Sequence, residues 1–129
     1  MKANELRIGN WFIPFMFNGE ELEARPIRAM EFLALSQNPH WGKPIPLTEE
    51  WLLKFGFSRH HDDYYNDIVF IKNVVNNYEF EWGVYPITLN GGIQINNRKL
   101  LKYVHQLQNL YFALTGEELT IKEVTNEQQ

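Results

Sequence analysis

Residues 97–119, NRKLLKYVHQLQNLYFALTGEEL, constrain the fold more than any other stretch, because their apolar side chains cover more of a helix than one core needs. At about 100° per residue, Leu100, Tyr103, Val104, Leu107, Leu110, Tyr111 and Leu114 fall on one stripe. Leu101, His105 and Phe112 form a second stripe beside it, leaving Lys99, Lys102, Gln106, Asn109 and Ala113 as the water-facing arc. Such a helix is either wedged between two surfaces or lies on its own sheet and offers a second face to a partner.

The chain of 129 residues fits a single globular domain, 1–129, with a frayed polar tail at 122–129. A domain of this size buries roughly two-thirds of the surface its unfolded chain exposes. Aromatic residues make up 15% of the chain, which allows a large core without disulfides. There is no cysteine, so disulfide frameworks, thiol catalysis and cysteine metal sites are all excluded, and a reducing cytoplasm is the expected location. After Met1 comes KANELRIGN, with no long apolar run, so no secretory signal is expected, and nothing approaches the roughly 18 apolar residues of a membrane span. A net charge of −4 argues against a general electrostatic grip on nucleic acid.

Along the chain, residues 6–17 (LRIGNWFIPFMF) read as a strand, with Pro14 calling for an edge or a bulge. Asn18-Gly19 supplies a two-residue hairpin turn, and residues 21–31 return as the second strand, although 29–35 also tolerate a helix. Residues 36–46 form a connector rich in Pro, Gly and Asn. A short helix follows, with Thr48 as N-cap, Glu49 and Glu50 in its first turn, a Leu47–Leu52 staple, and Gly56 and Phe57 as a Schellman stop. Residues 58–63 read as a polar loop. Strands at 64–75 and 78–89, joined around Asn76-Asn77, and a return through Asn90-Gly91-Gly92 to 93–96 make a three-stranded antiparallel meander. Asn97 then caps the long helix, which Gly116 closes. The expected class is therefore α+β: an N-terminal β-hairpin, a short helix, the meander, and a long C-terminal helix laid on the sheet.

Three segments, ELRIGNW at 5–11, PIPLTEEWLLKFGF at 44–57 and KYVHQLQNLYFALTGEEL at 102–119, resemble a set of small uncharacterised proteins of gut Bacteroidetes and their phages and mobile elements. The resemblance covers both ends and the short helix. It implies a bacterial or phage cytoplasmic accessory protein, and it carries no catalytic residues to transfer.

No catalytic constellation emerges. His60, His61, Asp62 and Asp63 are metal-ligand types, but His61 and Asp63 would share a strand face that His60 and Asp62 could not join, and no ligand-spacing motif surrounds them, so no metal or cofactor is expected. His105 has neither a nucleophile nor an orienting carboxylate beside it in sequence. Glu79 and Glu81 alternate with aromatics as the wet side of a strand. Trp11, Phe12, Phe15 and Phe17 lack the interleaved basic residues of a base-stacking surface and are expected in the core. P-loop, dinucleotide, HExxH and GxSxG patterns are all missing, so enzymatic activity has no support. The expected function is a non-enzymatic protein-interaction module, with an unknown protein or a second copy as partner, using Leu101, His105 and Phe112 together with exposed aromatics. The alternative is a nucleic-acid-associated accessory factor that receives phosphate at Arg98 and Lys99, in the first turn of the long helix, and at Lys102 one turn after Arg98.

Overall fold

The computed structural model of the chain describes residues 5–63, 67–74, 78–82, 87–89, 93–95 and 101–122. The protein is a mixed α and β structure with small antiparallel sheets and a C-terminal helix. Its residues divide into two compact units, Met1–Leu47 with Leu101–Leu110, and Thr48–Leu100 with Tyr111–Gln129.

The first unit contains β1 (Trp11–Pro14), β2 (Arg25–Pro26), helix α1 (Ala29–Gln37), a 3-10 turn at Pro39–Trp41 and β3 (Gly42–Lys43). β1 is central but changes partner along its length. Trp11 and Phe12 pair with Pro26 and Arg25, whereas Ile13 and Pro14 pair with Lys43 and Gly42. The hairpin turn falls where Asn18-Gly19 called for it: Gly19 has φ 86°, its N–H donates to Met16 O, and Met16 N–H donates to Glu20 O. The returning strand is much shorter than expected. Only Arg25–Pro26 is strand, and the tolerated helix wins from Ala29, where Glu31 accepts from Arg28 N–H as a capping box. Leu6, Phe12, Ile27 and Leu35 form the core, with Phe32 against them. Gly42 lies so close to Phe12 that a Cβ there would meet the ring at 2.6 Å.

The second unit opens with α2 (Glu49–Lys54). Thr48 Oγ1 accepts from Trp51 N–H, Phe57 N–H donates to Leu52 O, and Gly56, at φ 89°, donates to Leu53 O. That pair of bonds is the expected Schellman stop. Residues 58–62, expected as loop, are instead the edge strand β4 (Ser58–Asp62), paired antiparallel with β5 (Asp67–Val74), which pairs in turn with β6 (Tyr78–Trp82). β7 (Ile87–Leu89) and β8 (Ile93–Ile95) form a separate antiparallel pair. The turns expected at 76–77 and 90–92 lie outside the described residues. Of the expected tail, only Lys122 is described, and its N–H donates to Lys54 O at 2.7 Å.

The C-terminal helix α3 (Val104–Thr115) starts well after Asn97, whose expected capping role lies outside the described residues. Residues preceding Val104 are held extended: Leu47 N–H donates to Lys102 O and Val104 N–H donates to Ile45 O, with Tyr103 bridged to Pro46. Val104, Leu107 and Tyr111 of the main stripe are buried, and Gly116, at φ 76°, closes the helix by donating to Phe112 O.

Candidate interaction surface

The second stripe of the C-terminal helix does not reach solvent as a face. Leu101 and His105 are buried in the first unit, and of the three expected contact residues only Phe112 is exposed, at 39%. The His105 ring stacks on Tyr103 with centroids 5.9 Å apart, and neither ring nitrogen has a hydrogen-bond partner among the described residues. Burial holds its imidazole below the ordinary 6.5, while Glu5 pulls weakly the other way. Buried and stacked on Tyr103, the ring is placed as a packing group.

The expected water-facing arc is exposed in part: Lys102 and Ala113 are exposed, Gln106 and Asn109 are half-buried, and Lys99 lies outside the described residues. Gln106 Oε1 accepts from the N–H groups of Lys102 and Tyr103, capping the helix start from within. Arg98 and Lys99 lie outside the described residues. Lys102 is exposed but precedes the first turn, where the two nearest amides already have that acceptor.

One turn further on, Gln108 and Asn109 bind the ELRIGNW segment. Gln108 Oε1 accepts from Trp11 N–H at 2.8 Å while its Nε2 donates to Gly9 O. Asn109 Oδ1 accepts from Asn10 Nδ2 and Arg7 Nε, and its Nδ2 donates to Glu5 O at 2.7 Å. Asn10 and Gln108 are both 1% exposed, and each is satisfied. Two of the segments that carry the resemblance thus meet in a buried hydrogen-bond network, which is a structural role.

The first unit also leaves large apolar side chains uncovered. Phe17, at the hairpin tip, is 105% exposed, against its expected place in the core, and Met16 beside it is also exposed. The reason is positional: residue 17 sits in the turn, beyond the last strand pair, so no neighbouring strand covers it. Trp41, brought alongside by the 3-10 turn, is exposed too. Together with Phe15 and Asn18 these residues line an apolar hollow of about 510 Å³. A second hollow of about 240 Å³ shares Phe15 and Trp41 as its wall and runs between β1 and α1, lined by Phe12, Pro14, Met30 and Leu35. Its far rim is charged. Arg25 and Arg28 both bond Glu31, and although burial alone would raise the Glu31 carboxyl, the Arg28 backbone and the two arginine side chains hold it below its ordinary value.

The second unit presents polar chemistry instead. His60 and His61 on β4 are exposed, and His61 Nδ1 lies 3.1 Å from Asp63 Oδ1, so the expected shared face exists. No group of three His, Cys, Asp or Glu side chains converges as a metal site among the described residues. Arg59 pairs with Glu49 at 3.2 Å, and Lys54 lies over the Trp51 ring at 4.6 Å. No helix among the described residues is long and apolar enough to cross a membrane. No protein-family model, curated protein or solved structure shows significant similarity to the chain.

Proposed function

We propose that this chain is a small, non-enzymatic protein-interaction module that docks through the hairpin tip and 3-10 turn of its first unit. The observation that carries this reading is the full exposure of Phe17 next to exposed Met16 and Trp41, over a hollow with scarcely any polar lining. Single exposed apolar residues need no explanation, but a contiguous patch around a concavity marks a contact site. Aromatic residues of this kind anchor interfaces because they remove much area from water while freezing few rotatable bonds. Glu20, Glu21 and Glu23 beside the patch make a nucleic-acid phosphate the less suitable occupant. In the setting that the sequence resemblance implies, the role is that of a cytoplasmic accessory factor in a bacterium or phage.

The test is an affinity purification of tagged wild-type and Phe17→Asp protein from bacterial cytoplasm, each divided and half treated with nuclease. The module reading expects a discrete protein besides the tagged bait, an untagged copy of this chain or another protein, recovered equally with and without nuclease and lost with Phe17→Asp. Recovery that collapses on nuclease treatment, or is indifferent to Phe17→Asp, refutes it.

A further inference from the structure

Two features of the apolar surface on the first unit complement each other. One is a knob, the fully exposed Phe17 ring at the hairpin tip. The other is a hole, the 240 Å³ hollow between β1 and α1 walled by Phe12, Pro14, Met30 and Leu35. Knob and hole adjoin, since both hollows share Phe15 and Trp41 in their lining. A face that carries both halves of a contact is what a two-fold pair requires, because each residue meets its counterpart twice, once in each direction.

Charge follows the same arrangement. At the hairpin end, Glu20 is exposed, donates its N–H to Asn18 Oδ1, and has no ion pair among the described residues. At the opposite end, Arg25 and Arg28 share the single carboxylate of Glu31, which leaves a surplus positive charge on Arg28, itself 74% exposed. A second copy rotated by half a turn sets its acidic end over this basic end and its basic end over the acidic one. Such matching selects partner and register more than it adds affinity.

We infer that the chain self-associates as a two-fold dimer in which Phe17 of each copy enters the hollow between β1 and α1 of the other, with Glu20 of each facing Arg28 of its partner. The inference rests on the interaction-module reading and names its partner as a second copy of this chain.

Sedimentation velocity on the full chain over a concentration series tests it. The wild type sediments as a reversible dimer, and Phe17→Asp raises the dimer dissociation constant by more than about tenfold while leaving the unfolding midpoint of the dilute, monomeric protein unchanged. Glu20→Arg and Arg28→Glu each weaken self-association, whereas a one-to-one mixture of the two variants associates like the wild type, because both contacts in the mixed pair again join opposite charges. Arg28 also begins α1, so weakening by Arg28→Glu alone has a local explanation, but recovery on mixing does not. A dimer indifferent to Phe17→Asp, or a mixture no tighter than its components, overturns the inference. A wild type that stays monomeric overturns it as well. If that monomer still recovers a Phe17-dependent protein in the affinity purification, the module reading survives, and if it recovers none, both fail.

Discussion

The two units place polar and apolar groups in opposite ways. Among the described residues, the buried polar side chains Asn10, His105 and Gln108 all belong to the first unit. So do the large exposed hydrophobic side chains, apart from Leu53 and Phe112. The second unit is conventional by comparison: Leu52, Phe55, Phe57, Val69 and Phe70 are buried, and the edge strand Ser58–Asp62 turns histidine and arginine outward. An exposed strand edge with charged side chains resists adventitious pairing. An exposed aromatic patch invites a partner. The inversion in the first unit is therefore the stronger sign of function, and its buried network is what makes the inversion tolerable, since every amide in it is satisfied.

The contrast can be broken most directly at Gln108. Gln108→Ala leaves Trp11 N–H and Gly9 O without their partners inside the first unit, and the expected loss is about 3 kcal/mol. Urea unfolding followed by tryptophan fluorescence measures it, and a loss comparable to a surface substitution would mean the network is ornamental. Next comes Gly42→Ala, whose new methyl meets the Phe12 ring and costs about 2 kcal/mol by overpacking. Combining it with Phe12→Leu should recover part of that cost, and failure to do so would locate the strain elsewhere.

A smaller effect is expected from pH. The folded-state pKa of His105 lies below 6.5, so the unfolded chain takes up the proton first. The contribution of this group is fully present above 6.5 and is lost as pH falls from there toward the lowered folded-state value. The slope is at most about 1.4 kcal/mol per pH unit. His105→Phe should flatten that part of the stability profile without lowering stability at neutral pH, because neither ring nitrogen gives up a hydrogen bond. A profile that is already flat in the wild type would contradict the burial of a neutral ring. Smallest of all is Phe17→Ser, which should change thermal stability by less than about 0.5 kcal/mol, since the ring touches solvent and not the core. A large loss there would make Phe17 a packing residue and remove the contrast between the units.

What could be read from sequence follows from how local each cause is. The helix Glu49–Lys54 is announced by its neighbours alone: the Thr48 cap, two acidic residues after it, and Gly56-Phe57 at its end. The turn at Asn18-Gly19 is equally local. Long-range pairing defeats such reasoning. Residues 101–103 have helical periodicity, yet Ile45 and Leu47 engage Val104 and Lys102 and hold the chain extended until the helix can begin. Ser58–Asp62 looks like a loop by composition and becomes a strand because β5 supplies its backbone partners. The helix stripe was legible as core in Val104, Leu107 and Tyr111, but the proposed second face was not, because the burial of Leu101 and His105 depends on tertiary neighbours. Asn10 and Gln108 show the same limit, since nothing local says that a polar residue will be buried. Phe17 shows its converse: aromatic character argues for the core, and only its place in the turn keeps it out.

The hydrogen bonds that link Glu5, Arg7, Asn10 and Trp11 with Gln108 and Asn109 span 97 to 104 residues of chain. On a ribosome adding roughly 5–20 residues each second, the first strand waits on the order of ten seconds for the helix that completes it. Residues 5–11 therefore wait for Gln108 and Asn109 before their network closes, and through that interval the aromatic hairpin is without that support. Any factor that attends this protein during synthesis meets the N-terminal unit in an open form.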